Sequence, residues 1–156
     1  MKAVVNRIIP FSSVDGPGNR TAIFLQGCNI DCKYCHNPET RKLCVQCGTC
    51  VKQCPAGALS VGADGKVTFD PEKCVQCDTC IHVCPHDSSP RTCEMTPEEV
   101  YARVKKQIPF IRGISVSGGE CMLWPEFLTE LFRLAKQDGL GTLTIAGHTA
   151  ARKLFS

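Results

Sequence analysis

The chain has 156 residues, a formal net charge of +3 and thirteen cysteines. No apolar run approaches the ~18 residues of a membrane span, and residues 1–10, MKAVVNRIIP, lack the continuous apolar stretch and small-residue cleavage site of a secretory leader. With no Lys/Arg run or aromatic-interleaved basic patch either, the composition predicts a cytoplasmic protein with neither nucleic acid nor membrane as partner.

In a cytosolic setting disulfides are rare, so dense cysteines read as metal ligands. Ligand cysteines are thiolates, and the loaded protein is therefore less positive than its formal charge.

The first predicted element is Arg20-Thr-Ala-Ile-Phe-Leu-Gln26, a β-rich apolar run that ends at Gly27. Directly after it, Cys28-x3-Cys32-x2-Cys35 puts three sulfurs on one tight loop. Three thiolates suit three corners of a cubane [4Fe–4S] cluster and leave one iron open. A zinc site with His36 as the fourth ligand is the rival reading of the same spacing.

Two longer registers follow, Cys44-x2-Cys47-x2-Cys50-x3-Cys54-Pro55 and Cys74-x2-Cys77-x2-Cys80-x3-Cys84-Pro85. They are an internal repeat offset by thirty residues, with CVQCGTCVKQCP and CVQCDTCIHVCP agreeing at eight of twelve positions. Four cysteines fill a cluster and leave it able only to pass electrons; in this motif the last cysteine of each run ligates the other cluster. The expected sets are Cys44, Cys47, Cys50 and Cys84 for one cluster, and Cys74, Cys77, Cys80 and Cys54 for the other. Zinc is again the rival metal. Between the runs, Leu59–Val61 and Val67–Phe69 alternate around Asp64-Gly65, a hairpin signal. Residues 41–90 thus read as a ferredoxin-like insert with Val51, Ile81 and Val83 packed around its clusters.

Past the insert, Thr96-Pro97-Glu98-Glu99 predicts a capped helix start. Val100, Val104 and Ile108 then mark one helical face. Gly113–Ser117 reads as a second strand running into Gly118-Gly119-Glu120. A second helix spans Pro125 to Asp138 with Phe127, Leu128, Leu131 and Leu134 inward, and Gly139 stops it. Thr142–Ile145 is the third predicted strand. Cys93 and Cys121 have no spaced partners and are expected to be bystanders.

The order is βαβαβ with the cysteine unit inserted after the first strand. In such parallel sheets, ligands gather at the carboxyl ends of the strands. Cys28 and Gly118-Gly119-Glu120 both follow strand ends, so they are expected on one rim.

The cysteine triplet with Tyr34 before its last member resembles the signature of radical S-adenosylmethionine (SAM) enzymes. Val14-Asp15-Gly16-Pro17-Gly18-Asn19-Arg20, Gln26-Gly27-Cys28 and Cys35-His36-Asn37-Pro38 resemble, more narrowly, the activating enzymes of glycyl radical enzymes, and with the ferredoxin insert the YjjW-type activase. The resemblance implies an α/β fold: the N-terminal half of a radical SAM partial (β/α)6 barrel, residues 1–40 and 91–156 in about three strands, with a bacterial-type 2[4Fe–4S] ferredoxin domain inserted at 41–90.

It implies that Cys28, Cys32 and Cys35 are the catalytic ligands of a SAM-binding cluster. SAM is then cleaved reductively to a 5′-deoxyadenosyl radical that takes hydrogen from a glycine of a partner enzyme. Tyr34 is expected against the adenine, and Gly118, Gly119 and Glu120 at the methionyl amino group. Residues 14–20 are expected at the mouth where the partner's glycine loop enters. Three [4Fe–4S] clusters, SAM, a glycyl radical enzyme as protein substrate, and an external reductant such as flavodoxin or ferredoxin complete the implied inventory. A non-catalytic iron–sulfur electron-transfer protein is the alternative.

The family's barrel has about twice as many strands, and residues 145–156 lack the acidic, Asn-Gly-containing segment expected after the third. A frameshift or premature stop near Thr144 is therefore expected. With it come an exposed edge strand bearing Leu143 and Ile145, and a chain that loads some clusters but activates its partner poorly or not at all.

Overall fold

Every residue of the run Arg20–Leu25 is buried, and that run is the central strand of a five-stranded sheet. The computed structural model describes residues 1–145. In chain order the elements are β1 (Ala3–Ser12), β2 (Arg20–Leu25), β3 (Leu59–Val61), β4 (Val67–Phe69), α1 (Thr79–His82), β5 (Cys93–Met95), α2 (Pro97–Lys105), β6 (Gly113–Gly118), α3 (Pro125–Gln137) and β7 (Gly141–Thr144).

The sheet order is β5-β1-β2-β6-β7. Strands β2, β6 and β7 run parallel, with Arg20 opposite Gly113 and Gly113 opposite Gly141. Helices α2 and α3 connect them, as the βαβαβ reading expects. The two antiparallel strands on the other side are additions to that reading: β1 pairs with β2, and β5 with β1. Strand β1 escapes a period-two search because its register shifts between Val5 and Arg7 and again between Ile9 and Ser12. Its Pro10 also reads as a strand breaker. Strand β5 is three residues long and carries no pattern of its own.

The helices cover one face. Ile23, Leu25, Ile114 and Val116 of the sheet pack with Val100, Val104, Phe127, Leu128, Leu131 and Ala135 into the larger core. Helix α2 starts with a full capping box: the Thr96 hydroxyl accepts the Glu99 N–H, and the Glu99 carboxylate accepts the Thr96 N–H. It ends at Lys105, so Ile108 reaches the core from the turn beyond rather than from the helical face expected for it. Pro109 disfavours helical backbone in the residue before it. Helix α3 ends in a Schellman motif, with Gly139 at φ +74 and the Leu140 and Gly139 amides bonded to the Ala135 and Lys136 carbonyls.

The cysteine-rich segment forms a second, smaller core of Cys50, Leu59 and Cys80, with Val51, Ile81, Val83, Val67 and Phe69 against it. Strands β3 and β4 pair as the predicted hairpin. The chain enters and leaves this region side by side, since Lys42 and Ser88 form a parallel bridge.

Strand β7 lies at the sheet edge, with Leu143 half-buried and Ile145 43% exposed. Residues 146–156, which carry most of the divergent segment, lie outside the described residues.

Candidate metal centres

The loop bearing Cys28, Cys32 and Cys35 is pinched shut at its base. Gly27 and Cys28 donate their amides to the carbonyls of Thr40 (2.8 Å) and Arg41 (2.7 Å). Between them sits the fully buried side chain of Gln26. Its Nε2 donates to the carbonyls of Glu39 and Lys42, both at 2.7 Å, and its Oε1 accepts from Asn6 Nδ2 at 2.8 Å. One amide side chain thus joins the outgoing and returning ends of the loop to β1. Sequence reasoning quotes Gln26 only as part of a motif; a polar residue closing an apolar β-run is the signal that could have found it.

All three cysteines of the loop are half-buried. Cys35 N–H donates to the Cys32 carbonyl at 3.2 Å, closing the turn between them. Tyr34 points away from the core and is 81% exposed.

Gly118-Gly119-Glu120 lies directly against this loop. Gly119 N–H donates to the Leu25 carbonyl (2.9 Å) and Glu120 N–H to the Gly27 carbonyl (2.8 Å). The two candidate segments therefore share one rim, as the strand order predicts. The glycines serve that contact: a Cβ on Gly118 would lie 2.2 Å from the Leu25 oxygen, and one on Gly119 2.0 Å from the Gly27 oxygen. Glu120 is 3% exposed, and its carboxylate accepts the Met122 N–H at 3.0 Å. Cys121 is fully buried in the larger core, where burial and the neighbouring Glu120 charge push its thiol up to about 12. Cys93 is half-buried on β5 and packs against the same core.

Residues 14–19 join β1 to the amino end of β2, the opposite end of that strand from Cys28. Arg20, 5% exposed, anchors this turn. Its guanidinium donates to Ser115 Oγ (2.8 Å) and to the carbonyls of Pro17 (3.2 Å), Ile114 (2.8 Å) and Gly141 (3.0 Å). Burial holds its pKa below the usual arginine value. Gly16 sits over the sheet beside Leu143, Arg20 and Ser115.

The eight remaining cysteines of the repeats line two cavities. One is walled by Cys54, Cys74, Cys77 and Cys80; the other by Cys44, Cys47, Cys50 and Cys84. Each wall draws three cysteines from one run and the last from the other. None of the thirteen cysteines is joined in a disulfide. Among the described residues, no three His, Cys, Asp or Glu side chains gather as a single ion needs; the thiols instead surround a volume.

The two cavities share their fine structure. Gln46 and Gln76 adopt left-handed backbone (φ +63 and +55), and their amides point at the Cys44 and Cys74 sulfurs at 3.4 Å. The Thr49 and Thr79 hydroxyls lie 3.3 and 3.2 Å from the Cys47 and Cys77 sulfurs, and these contacts lower both thiol pKa values. Burial pushes Cys50 up to about 11; it also raises Cys80, against the pull of Arg91. The threonines escaped a reading centred on cysteine spacing, although each run carries one two residues after its second cysteine.

Residues 43–88 match the 4Fe-4S dicluster domain family, and residues 14–59 the 4Fe-4S single cluster domain family. The choline trimethylamine-lyase activating enzyme of Oleidesulfovibrio alaskensis is 35% identical over 90% of this chain and 51% of its own length. The benzylsuccinate synthase activating enzyme of Thauera aromatica is 37% identical over 82% of the chain and 44% of its own. The chain spans about half the length of the curated relatives it matches. Among solved structures, QueE from Escherichia coli superposes with a TM-score of 0.54 at 16% identity, covering 92% of this chain and 52% of that one. That likeness is one of fold. Among the described residues no helix is long and apolar enough to cross a membrane.

Proposed function

We propose, for a chain that belongs to the family of glycyl-radical-enzyme activating enzymes, that it is the SAM-cleaving half of such an activase with an inserted two-cluster electron relay. The observation that carries the reading is the shared rim: Gly119 and Glu120 are hydrogen-bonded to the strand end from which the Cys28–Cys32–Cys35 loop departs.

Three half-buried thiols on one closed loop suit a [4Fe–4S] cluster with an open iron. When bound there, such a cluster supplies the electron that cleaves SAM to a 5′-deoxyadenosyl radical, the species that takes hydrogen from a glycine of the partner. The residues of this chain do the positioning. Gln26 holds both ends of the cysteine loop at fixed separation from β1. Gly118 and Gly119 let β6 approach within backbone contact, and so bring the buried Glu120 carboxylate to the rim as the partner for the methionyl ammonium. Tyr34, exposed on the loop, is in reach of an adenine brought to the outer side.

The insert, residues 41–90, supplies two further cluster sites. Walls of four thiols, with amides and hydroxyls turned toward the sulfurs, fit a polynuclear cluster. Burial disfavours the thiolate at Cys50 and Cys80, and binding iron there releases those protons. Electrons reach these sites from an external reductant such as flavodoxin or ferredoxin. A glycyl radical enzyme is the protein substrate.

Iron and sulfide analysis with SAM cleavage tests the proposal. Three clusters correspond to about twelve irons, with 5′-deoxyadenosine formed under reduction. About eight irons with no cleavage overturns it in favour of an electron carrier.

A further inference from the structure

The internal repeat makes the two ferredoxin cavities nearly equivalent, and one pair of residues breaks the equivalence. In the first half, Gly48 faces Val61: a Cβ on Gly48 would lie 3.7 Å from Val61 Cγ2. Thirty residues on, the same two places hold Asp78 and Arg91. These form an ion pair, with Arg91 Nη2 2.6 Å from Asp78 Oδ1. Arg91 and Asp78 both line the cavity of Cys54, Cys74, Cys77 and Cys80. The other cavity has no lysine or arginine in its wall; His86 is its one ionisable side chain apart from the cysteines.

We propose that Arg91, steered by Asp78, makes the cluster held by Cys54, Cys74, Cys77 and Cys80 the more easily reduced of the two. The proposal rests on the reading that each cavity holds a [4Fe–4S] cluster. Reduction adds one electron, supplied by a low-potential flavin or iron–sulfur donor, to a cluster that already carries four thiolates; no bond or proton need change. A fixed cation beside it stabilises the added charge and raises the potential.

The ion pair does not cancel itself out. The Asp78 side chain is 53% exposed and screened by water, whereas that of Arg91 is 21% exposed. Arg91 is held in place by two contacts: its Nη2 donates to Asp78 Oδ1, and its backbone N–H donates to Ser89 Oγ at 3.2 Å. The Arg91 side chain therefore lines the same wall as the four sulfurs. It acts through those ligands, as a positioning and tuning residue.

The test is an anaerobic redox titration of the reconstituted full chain, followed by electron paramagnetic resonance at pH 8, where histidines are ordinarily uncharged. The signal that SAM perturbs is set aside, leaving two ferredoxin-type potentials. In Arg91→Gln the higher of the two should fall by on the order of tenfold in its reduction equilibrium, about 59 mV for one electron, while the lower stays in place. Arg91→Lys should retain most of the wild-type value, and Asp78→Asn should move the same potential upward. The proposal is overturned if both clusters form and Arg91→Gln leaves the higher potential unmoved or shifts only the lower. It is equally overturned if the Gln and Asn variants shift it in the same direction, as a loosened fold would. A wild-type chain that assembles fewer than two ferredoxin-type clusters overturns the cavity reading itself, and this proposal with it.

Discussion

Gly119 and Gly27 meet backbone to backbone, so closely that a Cβ on Gly119 would lie 2.0 Å from the Gly27 carbonyl oxygen. That contact locks the segment after β6 to the start of the cysteine loop. It makes the rim one unit instead of two adjacent loops.

Gly119→Ala should therefore separate the two halves of the rim. Forced overpacking costs about 1–3 kcal/mol, which urea unfolding would register as a lower midpoint. The iron count should fall by about four as the Cys28 cluster is lost, while ferredoxin-type signals persist. Loss of all clusters together would place the effect on the whole fold.

Gln26→Ala removes the donors for the Glu39 and Lys42 carbonyls and the acceptor for Asn6. Leaving buried polar groups unpaired costs about 1–3 kcal/mol each. The expected outcome is selective loss of the SAM-perturbed resonance signal. A variant that keeps that signal at full intensity would show that the cysteine loop holds its shape without the clamp.

The crossed walls of the two cavities predict a pairing pattern for double substitutions. Cys44→Ser with Cys84→Ser strikes one wall twice, whereas Cys74→Ser with Cys84→Ser strikes both walls once. The first pair should spare one ferredoxin-type cluster and the second should damage both, as read by iron content and resonance spectra. The reverse result would assign each run to its own cluster.

The buried thiol of Cys121 links stability to pH. Its pKa is raised to about 12, so the neutral form is favoured in the folded chain. Its contribution is fully present below about pH 9, the range of an unperturbed thiol, and is lost as pH rises toward 12. The stability difference between wild type and Cys121→Ala should be constant from pH 7 to about 8.5 and narrow above that. A difference that widens with pH would contradict the assigned direction.

Much of the site was legible in the cysteine spacing, because a cluster dictates how far apart its ligands stand along the chain. The capped start of α2, the stop of α3 at Gly139 and the hairpin at Asp64-Gly65 were equally local, set by capping and turn chemistry within a few residues. Strand β1 was not legible, since two register shifts and Pro10 erase its alternation and only pairing with β2 and β5 defines it.

By itself, then, the sequence determined which cysteines are candidate iron ligands, how they are spaced along the chain, and that parallel strands would carry two of the candidate segments. Tertiary structure alone decided that those segments touch, that Gln26 and Arg20 are buried clamps, and that Gly118 and Gly119 are required by the backbone of Leu25 and Gly27 respectively. It also decided that Asp78 and Arg91 form an ion pair on one cavity wall but not on the other. The physical reason is range. Ligand spacing and capping act over a few residues and leave a pattern in the chain, whereas backbone contact and charge–cluster proximity join positions such as Gly27 and Gly119, whose separation in sequence carries no period to read.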